Sequence, residues 1–195
     1  MDQISTCTAF VDGNFFTFGP PWEVALTVKA ALEKGGTGEI LVFDDGSGRL
    51  LDFDLRGSDQ EIVARLRPAP ADGAKAPGRP KLGVVAREVT LLPRHWDWLA
   101  SQPGGASVTL RKLVEGARSA NSARDAARQA QQAADRFMAA MLGNEPGYEE
   151  AARALYAGDR RRFEAFTEAW PAELRDHARR LAMPAFAEEV AAEAS

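Results

Sequence analysis

The amino-acid sequence predicts an α+β protein, in which strands and helices occupy largely separate parts of the chain. In the first third, short apolar runs broken by glycine turns alternate with helical stripes in the order ββαββα. Residues 68–80 are rich in Pro, Ala and Gly, the composition of an extended linker. Beyond residue 120, apolar residues recur at helical spacing, which predicts helices over residues 121–142 and 146–157, and Asp159 is expected to cap a further helix. The chain therefore divides into a small α+β unit (1–67), the linker (68–80), a central element (81–119) and a helical C-terminal segment (120–195).

The first hairpin and helix are predicted from their turn residues. Residues 6–11 and 15–18 are expected to be strands, because Asp12-Gly13-Asn14 between them is typical of a tight hairpin turn. Pro21 fits a first helical turn, where its missing N–H would have no partner in any case. A helix is therefore expected over residues 22–34.

The second half of this unit repeats the order of elements without repeating the sequence. Residues 40–43 and 50–55 are expected to be strands, the latter because apolar and acidic residues alternate along it. Ser58 and Glu61 have the spacing of a capping box, in which each side chain accepts a hydrogen bond from a free backbone N–H of the other residue. A last short helix is therefore expected to begin after Ser58.

The central element is predicted to be a strand followed by two helices. Residues 84–92 are rich in β-branched and apolar side chains, which favours a strand, and Pro93 begins a short helix over residues 93–101. Pro103-Gly104-Gly105 breaks that helix, and Ser107 is expected to cap the next one. The second helix carries an apolar stripe at helical spacing, formed by Leu110, Leu113, Val114 and Ala117.

The order of strand, short helix, glycine turn and helix, preceded by the basic arm Arg79-Pro80-Lys81, resembles the ribbon-helix-helix DNA-binding fold of small bacterial repressors and antitoxins. The resemblance covers residues 79–118. It implies that two chains pair their strands into an antiparallel ribbon, which lies in the DNA major groove. It also implies that the N-terminus of the second helix holds a phosphate, because free N–H groups there attract an anion. The expected partners are double-stranded DNA and a second copy of the chain, so this element is also the dimerisation element.

The resemblance gives DNA-binding roles to residues of the arm, the ribbon and the helix starts. The full set is Arg79, Lys81, Arg87, Glu88, Thr90, Arg94, Gly105, Ser107 and Thr109. The ribbon would present side chains between Arg87 and Thr90 to the bases, and the other residues would contact backbone phosphates. The phase of the ribbon stays open, because a one-residue shift decides whether Arg87 or Glu88 faces outward. In one phase Arg87 faces inward, and in the other Arg87 faces outward together with the apolar residues Val89 and Leu91.

The distribution of charge supports an anionic partner. The net charge is −4, but residues 74–118 carry eight Lys or Arg against three Asp or Glu. The flanking segments are acidic, with six basic against twelve acidic residues over 1–73 and ten against thirteen over 119–195. Local charge steers association more than total charge does. The alternative is a protein-interaction module, as in antitoxin-like proteins, in which the acidic units bind a partner protein and the central element serves only dimerisation.

The sequence favours a protein that is not an enzyme. It has no phosphate loop, nucleophile elbow, dinucleotide fingerprint or zinc-peptidase motif. His95 and His177 stand apart without metal-ligand spacing, and the acidic residues around Asp44 lack the calcium-loop pattern. Cys7, the single cysteine, is expected to be a small buried apolar residue in a strand. No catalytic residue, metal site or cofactor is expected.

The composition, with 45% hydrophobic and 27% charged residues, is that of a globular protein. No apolar run is long enough to span a bilayer, so no membrane partner is expected. Met1-Asp2-Gln3 lacks the basic start of a secretory signal. The sequence therefore predicts a cytoplasmic protein.

Six runs distributed along the chain carry a second resemblance. They are LVFDD, DLRGSD, GRPKLGVVAREVTLLPRHW, QPGGAS, AGDRRRFEAF and WPAELRDHA. Through them nearly the whole chain resembles a bacterial family known only as a domain of unknown function, number 2239. This resemblance implies no activity, so the expected function depends on the central element.

Overall fold

The computed structural model describes residues 5–68 and 85–186, and it confirms the predicted α+β class. The chain divides into two compact units. The sheet unit consists of residues 1–68 together with 123–195, and the central unit consists of residues 69–122.

The N-terminal part of the sheet unit has the predicted order ββαββα. Its elements are β1 (Cys7–Val11), β2 (Asn14–Gly19), α1 (Pro21–Glu33), β3 (Ile40–Asp44), β4 (Leu50–Leu51) and α2 (Asp59–Leu66). The strands form one antiparallel sheet in the order β2-β1-β3-β4. Asp12 and Gly13 form the first hairpin turn with φ values of 50° and 80°, as a tight turn between twisted strands requires. Ser58 and Glu61 form the predicted capping box at the start of α2.

Strand β4 is shorter than the sequence predicts. Only Leu50–Leu51 pairs with β3, whereas the alternating pattern predicts a strand over residues 50–55. Phe53 and Leu55 are nevertheless half-buried, and the exposed residues Asp52 and Asp54 alternate with them. The alternation in this stretch therefore comes from side-chain packing against the core and not from a hydrogen-bonded ladder.

Strand β1 is buried on both faces. Cys7 and Ala9 pack into a cluster with residues of α1, while Phe10 packs on the opposite face with Phe43 and Phe137. Successive residues of a strand point to opposite faces, so one short strand contributes to two cores. The sheet is consequently a middle layer between α1 and the C-terminal helices.

The remaining elements are helical. They are α3 (Pro93–Ser101), α4 (Gly105–Met141), α5 (Tyr148–Ala157), α6 (Arg160–Phe166), α7 (Ala172–Ala182) and a 3-10 turn (Met183–Phe186). Helix α3 has the predicted bounds, and α5 begins two residues later than its predicted start at Pro146. Asp159 caps α6 as predicted, accepting a hydrogen bond from the backbone N–H of Arg162 at 2.9 Å.

Ser107 does not cap α4, and that prediction is wrong. Gly104 and Gly105 have φ values of 88° and 69°, a left-handed conformation that glycine adopts at no steric cost. This pair turns the chain into the helix before Ser107, which lies in the first turn of α4.

The prediction of two separate helices over this stretch is also wrong, because α4 is continuous. The sequence predicts one helix ending near Arg118 and another over residues 121–142, but no proline and no left-handed glycine separates them. Asn121, which resembles a loop residue in the sequence, donates its side-chain amide to the carbonyl of Ala117 at 2.8 Å, one turn back. The boundary between the two units falls within α4.

Candidate functional site

The predicted DNA-binding residues fall into three groups. Arg79 and Lys81 lie outside the residues that the structure describes. Arg87, Glu88 and Thr90 are exposed and make no side-chain hydrogen bond or ion pair with any other described residue. These three side chains are therefore accessible in the single chain.

The other predicted residues lie at the starts of helices. Arg94 is exposed in the first turn of α3. Gly105, Ser107 and Thr109 lie in the first two turns of α4, where Ser107 is exposed and the other two are half-buried. The structure thus brings these three residues together at the start of α4.

Residues 85–92 do not form the predicted strand within this chain. The backbone groups of residues 85–91 make no backbone hydrogen bond with another residue in the described ranges. In the ribbon-helix-helix arrangement, the partner of this strand is the same strand of a second chain, whereas the structure is that of one chain. The ribbon and its phase therefore remain predictions.

The central unit exposes most of its large apolar side chains. They are Val85, Val89, Leu92, Trp96, Trp98, Leu113 and Val114. Val85 is 69% exposed and Val114 is 63% exposed, although Val114 belongs to the predicted apolar stripe of α4. Leu99 is the one buried apolar residue between positions 85 and 122 of the described chain. Exposed apolar surface of this kind is typical of sites that contact another molecule, which makes the central unit a candidate site.

The sheet unit contains a second candidate site, a polar cluster around Asp45. Asp45 begins the turn after β3, and its carboxylate accepts hydrogen bonds from the hydroxyls of Thr6 and Thr8, both at 2.7 Å. Thr8 is fully buried on β1. The turn itself is held against α4, because Arg136 donates to the carbonyl of Ser47 at 2.7 Å. The carboxylate is therefore fixed in position from two sides.

His177 lies beside Asp45 at the centre of the sheet unit. Its side chain is 2% exposed, and its ring packs against Phe137 at a centroid distance of 4.4 Å and Phe10 at 5.2 Å. Arg180, one turn along α7, donates to Nδ1 of the imidazole. Nε2 then carries the proton, and among the described residues it has no hydrogen-bond acceptor. The nearest carboxylate oxygen, Oδ1 of Asp45, is 3.9 Å away.

The electrostatics of this cluster keep His177 neutral. Burial, and then the positive Arg180 guanidinium, lower the pKa of His177 to about 3. Cys7 lies near the same turn, and burial, followed by Asp45 and Asp44, raises the pKa of its thiol to about 12. The prediction that Cys7 is a buried apolar residue is confirmed, since its side chain is fully inaccessible.

Sequence reasoning missed this cluster because its members are far apart in the chain. The sequence does contain one sign of it, since His177 lies three residues after Leu174 and four before Leu181, on the buried stripe of α7. A histidine on that stripe is expected to be buried, although nothing in the sequence names Asp45 as its neighbour. Among the residues that the structure describes, no three His, Cys, Asp or Glu side chains are grouped as metal ligands.

Within the described ranges, no helix has both the length and the apolar character needed to cross a bilayer.

Comparison with known proteins identifies a family and no characterised relative. No curated protein and no solved structure matches the chain significantly. A family model described as an uncharacterized protein conserved in bacteria (DUF2239) matches residues 6–182, which covers both units. The chain therefore belongs to the DUF2239 family, as its sequence runs predict.

Proposed function

We propose that the protein is a homodimeric DNA-binding protein, and specifically a transcription regulator that inserts an antiparallel β-ribbon into the major groove. The proposal places it in the cytoplasm, where bacterial DNA lies. Residues 85–92 of two copies would form the ribbon, and the exposed apolar faces of α3 and α4 would form the dimer core.

The single observation that carries the proposal is the exposed apolar surface of the central unit. Trp96, Trp98 and Val114 face solvent in one chain, while Leu99 alone is buried between positions 85 and 122 of the described residues. An isolated unit with one buried apolar residue gains too little from burial to offset the conformational entropy of ordering its chain. A second copy would bury the same face on both sides of a two-fold axis, as closed dimers do.

The backbone of residues 85–91 supports the same arrangement. The backbone N–H and C=O groups of this exposed segment have no backbone partner among the described residues, so they are available to pair with a second strand. Pairing with the same segment of a second chain would satisfy them.

Charge supports DNA as the further partner. The segment 74–118 carries eight basic against three acidic residues in a chain that is acidic elsewhere. Among them, Arg87 and Arg94 are exposed and are held by no ion pair with any other described side chain. Basic residues on one element attract phosphates and release their counterions, which gives salt-dependent affinity.

We expect Val114→Asp to convert a dimer into a monomer. The side chain is exposed in one chain, so the substitution leaves the fold of that chain intact, but in the dimer it would bury an unpaired carboxylate. The dimer dissociation constant should rise about a hundredfold, equivalent to about 3 kcal/mol. Light scattering coupled to size-exclusion chromatography measures the change. Leu32→Asp, an equivalent change on the exposed surface of α1 in the sheet unit, is the matched control and should remain dimeric.

A monomeric wild-type protein, or a dimer unaffected by Val114→Asp, would exclude the proposed dimer core.

We expect Arg87→Ala to weaken DNA binding about tenfold or more, because a base or phosphate contact of arginine contributes about 1–3 kcal/mol. Fluorescence anisotropy with duplex DNA at low and moderate salt measures the affinity and its salt dependence. Arg153→Ala removes an exposed arginine of α5 in the sheet unit and is the matched control. Its affinity and salt slope should equal those of the wild type.

A second function is supported if the dimer forms but binds no DNA even at low salt. The same apolar and acidic surfaces would then belong to a protein-interaction module of the antitoxin kind, in which the central unit serves dimerisation alone. Equal affinities of Arg87→Ala and the wild type would instead refute the placement of the ribbon.

A further inference from the structure

We propose that a cleft in the sheet unit, lined by Phe15, Phe18, Asp45 and Arg180, binds a small zwitterion with an apolar side chain, such as a free apolar α-amino acid. The proposal is independent of DNA binding, since every residue that carries it belongs to the sheet unit.

The cleft has the size and the walls of a small-molecule site. Its volume is about 560 Å³, and Leu181 and Pro184 add apolar surface to its lining. Ligand sites are typically clefts of about 300–1,000 Å³, mostly apolar, with a few fixed polar groups. Phe15 and Phe18, on strand β2, are 46% and 66% exposed, so two aromatic rings are available to a ligand.

Two opposite charges line the same cleft without pairing with each other. Within the described part of the chain, no ion pair joins Asp45 to Arg180. A carboxylate has about four acceptor positions and a guanidinium has five donors. Asp45 uses two of its positions on Thr6 and Thr8, and Arg180 donates to His177, so both groups retain hydrogen-bonding capacity.

His177 keeps these charges apart and in place. Nδ1 of its imidazole accepts from Arg180, and Nε2 lies 3.9 Å from Oδ1 of Asp45. The ring is locked between Phe10 and Phe137. Its buried Nε2–H has no acceptor among the residues that the structure describes. The two charged groups are thus positioned before a ligand arrives, which lowers the entropy cost of binding.

The chemistry of the ligand follows from these three features. An anionic group, such as a carboxylate, would pair with Arg180 through charge-assisted hydrogen bonds. An ammonium group would pair with Asp45. An apolar side chain would cover Phe15 and Phe18, which otherwise remain exposed to water. A free α-amino acid with an aromatic or aliphatic side chain carries all three groups on one small frame.

Isothermal titration calorimetry of the full chain with L-phenylalanine, L-leucine and L-tryptophan tests the proposal. Truncated analogues identify the contribution of each part of the cleft. 3-Phenylpropanoate lacks the ammonium group that would pair with Asp45, and phenethylamine lacks the carboxylate that would pair with Arg180. Glycine lacks the side chain that would cover the two phenylalanines. Each analogue is expected to bind at least about tenfold more weakly than the intact amino acid, because it loses one of the two ion pairs or the apolar contact.

Substitutions in the cleft give the second arm of the test. Asp45→Asn and Phe18→Ala should each weaken binding about tenfold or more. Asp52→Asn and Leu32→Ala change exposed residues of the sheet unit that lie outside the cleft, and they should leave binding unchanged. The Asp45→Asn substitution removes hydrogen bonds and can disrupt the turn. Phe18 is largely exposed, so Phe18→Ala is expected to fold and provides an independent test.

Binding of the amino acids that is lost in Phe18→Ala and in the truncated analogues supports the proposal. No binding of any of the three amino acids at millimolar concentration overturns it. Binding of phenethylamine as tight as that of L-phenylalanine also overturns it, because Arg180 would then not pair with the carboxylate. Amino-acid binding that is unchanged in Phe18→Ala overturns it too, because the ligand would then lie outside the cleft.

Discussion

Gly48→Ala is expected to lower the free energy of unfolding of the sheet unit by about 3–5 kcal/mol, from the combined cost of a left-handed non-glycine residue and an overpacked contact. Gly48 has a φ of 67°, and a Cβ built on it would lie 2.0 Å from the backbone oxygen of Ala133. That oxygen belongs to the backbone of α4 and cannot move as a flexible side chain would. The turn must therefore separate from the helix, and Asp45, which this turn carries, should lose its hydrogen bonds to Thr6 and Thr8.

Gly158→Ala is the matched control for this substitution. Gly158 has a nearly equal φ of 72°, but a Cβ there would have no neighbour within 4 Å. It should cost about 1–2 kcal/mol from backbone conformation alone. Urea unfolding followed by circular dichroism measures both variants. Equal losses of stability in the two would show that contact with Ala133 does not matter.

Phe137→Ala is expected to destabilise the protein by about 3–5 kcal/mol, the range for removing a large buried aromatic side chain. Phe137 is fully buried on α4, and its ring contacts those of Phe43 at a centroid distance of 5.0 Å and Phe10 at 5.5 Å. The substitution removes these two ring contacts between α4 and the sheet and leaves a cavity next to His177. Chemical unfolding monitored by tryptophan fluorescence gives the stability change.

Two comparisons make the Phe137 prediction specific. Phe18→Ala, at a largely exposed phenylalanine of the same unit, should cost less than about 1 kcal/mol. The cavity in Phe137→Ala should also admit water to the imidazole, so the pKa of His177 should rise from its depressed value toward its ordinary one. Titration of the histidine resonances by NMR measures that shift. A stability loss in Phe137→Ala no greater than in Phe18→Ala would contradict the packing described for this core.

Local chemistry explains which elements were predictable. Ser58 and Glu61 start α2 through hydrogen bonds within four residues, and Asp12 and Gly13 form their turn from their own backbone preferences. Tertiary packing explains why β4 is shorter than the sequence predicts. Nothing in the pattern after Leu51 distinguishes a paired strand from a stretch held by side chains, because both alternate in the same way.

The same distinction applies to the two candidate sites. The central unit could be proposed as a site from the sequence, since its predicted strand, helix and glycine turn follow one another within about forty residues. The cluster of Asp45 and His177 is assembled by the approach of a turn and a helix that are distant in the chain. A single sequence records the burial of His177 through the stripe on α7, but it does not record which residue lies opposite.

The double burial of β1 has a consequence for the order of events during synthesis. The ribosome releases Cys7 and Ala9 shortly before their partners on α1, so this half of the core can assemble early. Phe10 and Phe43 can be buried only after Phe137 and the helices that follow it have been synthesised. At about 5–20 residues per second, that wait lasts on the order of ten seconds. Through that interval the aromatic face of the nascent sheet would lack its partners from the C-terminal helices, so the growing chain is expected to be most prone to aggregation before those helices are made.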